Sequence, residues 1–410
     1  MHRLISLLGL FVMIGLAWLL SSNRRRISLR VVVGGLLLQF AFAAITLLTV
    51  PGERFFAAVG DIFDGLLGFV DAGASFVFGP RYEDFYFAFK VLPTIIFFST
   101  LMSVLYYLGL MQVVVKAVAR VMQRTLGTSG AESLSTAANI FVGQTEAPLM
   151  VRPYIATMTQ SELMAVMVGG FATIAGGVMA AYVGMGISAG HLLTASVIAA
   201  PATLVVAKIM QPEVDVPPTL GSVKLPVQPT GINLLDAAAN GAADGVKLAI
   251  NVAAMLIAFL ALIAMFDFLL SWSGSWFGYT GENALTLSRL LGRVFAPLAW
   301  TMGIPWNDCP EVGQLLGLRV VANEFVAYER LAGWLSPDSA VQISQRSVAI
   351  ATYALCGFAN FASIGVQLGG IGPMAPERCG DLARLGLRAM IGGNLACFMT
   401  ACVAGVFLPE

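Results

Sequence analysis

Charge is what this 410-residue sequence has least of: Asp, Glu, Lys and Arg make up 11% of it, where a soluble domain carries about 25%. Hydrophobic residues make up 58%. So little charge cannot cover the surface of a soluble protein this long, which excludes a string of soluble domains and leaves an all-α polytopic membrane protein. The two signs balance to a net charge of zero, without the basic patch that a nucleic-acid partner favours. Histidine is nearly absent: His2 and His191 stand apart, and neither sits in a metal-spaced cluster. There is no H-E-x-x-H zinc motif and no obvious Ser-His-Asp set, so a membrane-embedded hydrolase is set aside and no enzyme activity or resident cofactor is expected. Cysteine is scarce and odd in number, with Cys309, Cys356, Cys379, Cys397 and Cys402 mostly in or beside apolar stretches. That argues against a disulfide framework.

What is present is a series of apolar runs. Leu4–Leu20 is followed, not preceded, by Arg24, Arg25, Arg26 and Arg30, and no A-x-A-like cleavage site intervenes, so it reads as a span and not a signal peptide. The positive-inside rule places those arginines in the cytoplasm and the N-terminus outside. Further spans follow at Val31–Val50, Val91–Leu110, Leu163–Gly184, Leu192–Met210, Val246–Leu270, Ile350–Gly369 and Ala389–Val406. Eight spans of roughly 18–25 residues put both termini outside, in a plasma membrane that the short termini suggest is a bacterial inner one. An acidic amphipathic stretch (Glu53, Asp61, Asp64, Asp71, Glu83, Asp84) suits the outer interface, as does the aromatic group Trp272, Trp276 and Tyr279. Basic inner turns carry Lys116, Arg120 and Arg124, then Arg378, Arg384 and Arg388. The Pro-rich Gln211–Gly231, with Lys208 and Lys224, reads as the longest cytoplasmic loop.

Two regions are not spans. Ala131–Thr157 is broken by Gly143-Gln144-Thr145-Glu146-Ala147-Pro148, and Asp308–Leu335 by Ala322-Asn323-Glu324-Phe325. Flanks of about ten residues reach about 15 Å as helix, half the hydrocarbon thickness. Both therefore read as re-entrant hairpins with a polar tip, backbone that membranes tolerate only beside a cavity or inside protein. After each hairpin comes a copy of one motif: Gly170-Phe171-Ala172-Thr173-Ile174-Ala175-Gly176 and Gly357-Phe358-Ala359-Asn360-Phe361-Ala362-Ser363. The first copy lies in an outward-running span and the second in an inward-running one. Small-residue clusters alone serve as packing faces. Paired with hairpins in opposite topology, they indicate an inverted repeat with broken helices, the signature of a secondary transporter. The chain divides into scaffold helices (1–130), a first repeat unit (131–210), a loop, long scaffold span and outer interfacial segment (211–307), and a second repeat unit (308–410).

Glu146 and Glu324 are costly carboxylates near the bilayer centre and hence functional-site candidates; the alternative is that they cap half-helices or pair with Arg152 or Arg319. Around them lie Asn139, Gln144, Thr145, Thr173, Asn323, Asn360 and Ser363, with Phe358 and Phe361 as a possible aromatic wall. Neutral donors and acceptors without a cationic clamp suit a neutral, heavily hydrogen-bonding solute that bears a ring.

Three motifs carry a resemblance. Asn139-Ile-Phe-Val-Gly-Gln-Thr-Glu-Ala-Pro-Leu149, Ala322-Asn-Glu-Phe-Val-Ala-Tyr328 and Ile350-Ala-Thr-Tyr-Ala-Leu-Cys-Gly-Phe-Ala-Asn-Phe-Ala-Ser-Ile-Gly365 resemble the concentrative nucleoside transporter family. Ser196–Pro201 and Pro212-Glu213 extend the likeness over nearly the whole chain. The resemblance implies a homotrimer whose protomers each carry nucleoside inward with a cation. It implies nucleobase contacts from Gln144, Thr145 and Glu146, with Val178 and Phe358 beside the base, and ribose contacts from Glu324, Asn360 and Ser363. It implies a sodium site at Asn139, Val142, Thr173 and Ile174, partly through backbone carbonyls, and alternating access by an elevator-like motion. Proton coupling through Glu146 or Glu324 is the alternative. One departure touches selectivity: Phe361-Ala362-Ser363 stands where the family often has Phe-Ser-Ser.

Overall fold

The computed structural model describes residues 1–221, 231–281, 284–336 and 338–410, with the side chains of 53, 55, 56 and 83 also outside the description. Lys224 and the rest of 222–230 in the Pro-rich loop lie outside the described residues. Among those described there are helices and no strands. In chain order they are α1 (His2–Leu19), α2 (Leu29–Leu48), α3 (Val50–Phe78), α4 (Leu92–Tyr107), α5 (Leu110–Leu126), α6 (Gly130–Ala138), α7 (Glu146–Leu149), α8 (Arg152–Ile155) and α9 (Gln160–Ala172). Then come α10 (Gly176–Gly184), α11 (Ala189–Met210), α12 (Leu234–Ser275), α13 (Leu287–Thr301), α14 (Cys309–Val321), α15 (Glu324–Leu335), α16 (Gln345–Leu355), α17 (Phe361–Ile371) and α18 (Cys379–Phe407).

By length and composition, seven helical segments among the described residues can cross a membrane: His2–Leu19, Leu29–Leu48, Phe87–Tyr107, Gln160–Gly184, Ala189–Met210, Leu234–Ser275 and Pro376–Phe407. The eighth expected span is interrupted at Cys356–Asn360, leaving α16 and α17, each of 11 residues. Burial sorts the seven. The segments containing α9–α10, α11 and α18 are 89%, 89% and 83% buried, against 28% or less for the other four. The first three form the protein's interior; α1, α2, α4 and α12 ring it with exposed apolar faces.

Several elements differ from the hydropathy reading. The basic turn after Val91–Leu110 is a helix, α5, whose buried Met111, Val115, Ala119, Met122 and Leu126 fall on one stripe. An amphipathic helix is too polar on average to register as a span. The span Val246–Leu270 is the middle of a 42-residue helix, about 63 Å long, which packs along α4. The first hairpin's returning limb is two four-residue helices. Pro148 and Pro153 lie within it, each removing a backbone donor and crowding the preceding turn.

Two polar faces close the bundle. On one, arginines cap the ends of helices, where carbonyls lack partners. Arg388 donates to Leu20 O and Met210 O, Arg30 to Arg124 O and Thr125 O, and Arg378 to Ala156 O and Met158 O. On the other, the Met1 amino group meets Glu410, and Arg346 donates to Gly303, Gly405, Leu408 and Pro409 carbonyls and to Ser6. Both termini therefore lie on the same face.

Candidate functional site

The two broken spans meet at their breaks. α9 ends at Thr173, whose backbone is extended, and α17 starts from the extended N-cap Asn360. Phe358 N donates to Thr173 O at 3.3 Å, so the two unwound segments bond to one another. Helix α18 seals the crossing: Asn394 Nδ2 donates to Ala359 O at 2.9 Å, and Cys397 Sγ lies 3.3 Å from Cys356 O and 3.6 Å from Ala172 O. Unwound backbone is thus satisfied inside protein, as a membrane requires.

Each hairpin tip reaches this crossing. In the second hairpin, Asn323 is the N-cap of α15, its Oδ1 accepting from Val326 N at 2.9 Å. Its Oδ1 serves the helix end. Glu324 follows it, buried at 6% exposure. Its Oε2 accepts from Asn360 Nδ2 at 3.0 Å and its Oε1 from Tyr182 OH at 3.3 Å. Asn360 also caps α17, accepting from Ser363 N at 2.9 Å. Asn360 thereby links Glu324 to the first turn of α17 at Ser363.

In the first hairpin, α6 ends at Ala138 and residues 139–145 turn before α7. Gly176 N donates to Phe141 O at 3.0 Å, tying that turn to the start of α10. Gln144 is buried, and its Oε1 accepts from Gln367 Nε2 at 3.3 Å. Thr145 is half-buried against Gly370 of α17. Val178 is buried on α10 and Phe358 half-buried at the crossing.

Glu146 is exposed, with its carboxylate folded back over Gly143. The two tip glutamates are therefore not equivalent: Glu324 is clamped by two side chains from other elements, while the Glu146 carboxylate folds back on its own turn. Neither pairs with Arg152 or Arg319 among the described residues. Arg152 is exposed, while the buried Arg319 donates to Ala354 O and lies 3.2 Å from Cys397 Sγ, serving the end of α16.

Of the residues that the resemblance assigned to sodium, Asn139 and Thr173 both lie against Gly169. Asn139 is fully buried and neither its Oδ1 nor its Nδ2 has a hydrogen-bond partner. A methyl group built on Gly169 would lie 2.9 Å from Asn139 Nδ2 and 3.7 Å from Thr136 Oγ1. Thr173 Oγ1 donates to Gly169 O at 2.8 Å; Ile174 is fully buried and Val142 half-buried. An unsatisfied buried amide costs about 1–3 kcal/mol, so Asn139 is a buried polar side chain that the protein's own groups leave unpaired.

Tyr182 and Gln367 were missed from the sequence. The available signal was a polar side chain within an otherwise apolar half-helix, Val178-Met-Ala-Ala-Tyr-Val183 and Gly365-Val-Gln-Leu-Gly369, where ionisable or amide groups are rarely idle.

Two spans that unwind and bond to one another at their breaks have the helix geometry of a secondary transporter. The chain belongs to the concentrative, Na+-dependent nucleoside transporter family. The family's "Na+ dependent nucleoside transporter C-terminus" matches residues 191–405, its N-terminus 8–81, and "Nucleoside recognition" 88–189. An uncharacterized transporter of Haemophilus influenzae is 50% identical over 100% of this chain and 98% of its own. Sodium/nucleoside cotransporter 1 of Rattus norvegicus is 46% identical over 100% of this chain, which spans 64% of that longer protein. Among solved structures, CNTnw in an inward-facing substrate-bound state superposes with a TM-score of 0.93 at 46% identity, covering 99% of this chain and 98% of that one. A doubly substituted CNTnw in an outward-facing state gives 0.92 at 45%, with 99% and 98% covered.

Proposed function

We propose that the protein is a homotrimeric symporter of the plasma membrane that imports nucleosides coupled to an inward sodium gradient. The observation that carries this reading is the crossing itself: one carboxylate held by Asn360 and Tyr182, and one amide held by Gln367, flank two unwound segments bonded to each other. A carboxylate with free lone pairs accepts two ribose hydroxyls in charge-assisted bonds. The roles follow from that: Gln144, Thr145 and Glu146 with Val178 and Phe358 for the nucleobase, Glu324, Asn360 and Ser363 for the ribose. Eight membrane crossings, counting the broken α16–α17 as one, leave both termini on one side, and the positive-inside rule assigns the arginine-capped face to the cytoplasm.

Sodium is cargo in this scheme. Asn139 Oδ1 and the carbonyls of the unwound stretch beside Val142, Thr173 and Ile174 are hard oxygen donors of the kind Na+ prefers at transporter helix breaks. The two repeat units, 131–210 and 308–410, are bonded through their backbones and move together against the frame of α3, α4 and α12, an elevator-like alternation. Structural neighbours solved in inward- and outward-facing states support such a motion. The test is uridine and adenosine uptake into proteoliposomes with and without an inward sodium gradient. Uptake that follows a proton gradient and ignores sodium would replace this coupling with the proton alternative, and no uptake of either nucleoside would refute the function.

Gly169→Ala is expected to raise the half-saturating sodium concentration severalfold, because its methyl group falls 2.9 Å from Asn139 Nδ2 and displaces the amide. Linkage requires nucleoside affinity at a fixed, subsaturating sodium concentration to fall with it. Sodium titrations of nucleoside binding check this; an unchanged sodium midpoint removes Asn139 from the ion site.

A further inference from the structure

The hydrogen bonds at the two hairpin tips run across the repeats. Tyr182 sits on α10, the second half of the first unit's broken span, yet its hydroxyl donates to Glu324 in the second unit's hairpin. Gln367 sits on α17, the second half of the second unit's broken span, yet its amide donates to Gln144 in the first unit's hairpin. We propose that Gln367 and Tyr182 are positioning residues that set the hydrogen-bond polarity of the nucleobase half and the ribose half of the site, each unit fixing the other's hairpin. The proposal rests on the reading of the hairpin tips as the nucleoside site.

The chemistry at Gln367 leaves one arrangement. Its side chain is fully buried, and the same Nε2 that meets Gln144 also lies 3.0 Å from Met167 O. A backbone carbonyl can only accept, so this end of Gln367 is the NH2 group. The atom of Gln144 facing it must then be the carbonyl oxygen, which turns the Gln144 NH2 away from Gln367. Gln144 thus offers a donor, and the base must present an acceptor to it. The fit is close: a methyl group on Gly170 would lie 2.6 Å from Gln367 Nε2 and 2.8 Å from Gln144 Cβ. Glycine at 170 therefore leaves room for the bridge.

Tyr182 is equally constrained. Its buried ring stacks on Tyr328 at 4.2 Å and meets Phe325 edge-on at 5.4 Å. With the ring held, the hydroxyl can serve Glu324 Oε1 while Asn360 serves Oε2. One protein donor on each oxygen fixes the carboxylate plane and leaves the remaining lone pairs for two ribose hydroxyls.

The experiment compares ratios of affinities, which do not depend on the fraction of protein folded. Equilibrium binding is measured for parent nucleosides, for deaza analogues lacking one ring acceptor, and for 2′- and 3′-deoxy analogues, on wild type, Gln367→Met and Tyr182→Phe. Wild type should lose roughly three- to tenfold on at least one deaza analogue and roughly tenfold or more on a deoxy analogue. Gln367→Met should bring the deaza ratio close to one and keep the deoxy ratio. Tyr182→Phe should shrink the deoxy ratio at least about threefold and keep the deaza ratio. Gly170→Ala, which disturbs the same bridge without touching Gln367's chemistry, should copy the Gln367→Met pattern. Variants that lower all affinities in parallel, with both ratios unchanged, overturn the proposal by showing a merely structural role. A wild type that binds nucleosides but shows neither penalty overturns it also, while a wild type that binds no nucleoside refutes the underlying reading.

Discussion

Replacing Glu324 by glutamine is expected to weaken nucleoside binding roughly ten- to hundredfold while leaving a folded protein. The carboxylate accepts on both oxygens, from Asn360 at 3.0 Å and from Tyr182 at 3.3 Å. Glutamine keeps one acceptor and places an NH2 where the other was. If that NH2 faces Asn360 Nδ2, two donors collide. If it faces Tyr182, the hydroxyl must turn round to accept, and an NH2 points where a ribose hydroxyl was to donate. Either way at least one charge-assisted bond, worth about 1.5–3 kcal/mol, is lost. The side chain is nearly isosteric and Asn323 still caps α15, so stability should fall little. Titration calorimetry at saturating sodium is the measurement, and wild-type affinity in the mutant would place Glu324 outside the site.

Lys208→Met should be the most destabilising single substitution at the base of the first hairpin. Two capping boxes meet there: Ser129 with Glu132 at the start of α6, and Thr159 with Glu162 at the start of α9. Glu162 is satisfied without a cation, accepting from Thr159 N, Ser129 Oγ and Thr219 Oγ1. Glu132 is not. Its Oε2, at 1% side-chain exposure, lies 2.7 Å from Lys208 Nζ, which also reaches Glu213 at 3.1 Å and Ser161 at 2.9 Å. Removing one partner of such a pair costs about 3–5 kcal/mol, because the other charge stays buried and alone. A fall of many degrees in thermal stability in detergent or nanodiscs is expected, with most of it recovered in the Lys208→Met/Glu132→Gln double variant. If the double variant is no more stable than the single one, the loss comes from packing and not from the stranded carboxylate.

Much of the architecture is legible from apolar runs, because a long run without charge has few other uses in a chain this greasy. The interruptions are legible too: Gly357 and the polar Asn360 announce the break between α16 and α17, and the matching motif at Gly170 announces its inverted partner. Hydropathy falls silent where a helix is neither span nor loop. α5 alternates lysine and arginine with valine and methionine, so its average hides a well-formed buried stripe. Nor does composition distinguish a polar residue that serves the helix end from one that faces the pocket. Asn323 and Asn360 look alike in sequence, yet Asn323 Oδ1 caps α15 while Asn360 caps α17 and still has its NH2 for Glu324. Tyr182 and Gln367 escaped for a related reason. Each acts on the hairpin of the other unit, and a partner more than 140 residues away leaves no local pattern.

The bond from Phe358 to Thr173 has a thermodynamic consequence as well. Non-helical backbone in a membrane protein is ordinarily where local opening begins, since few bonds hold it. Here each break closes the other, and α18 adds donors from Asn394 and Cys397. Freeing Phe358 N strands Thr173 O in the same event, so neither segment can breathe alone. The weakest-looking stretches of the chain thereby become coupled, because opening one break also costs the other a hydrogen-bond partner.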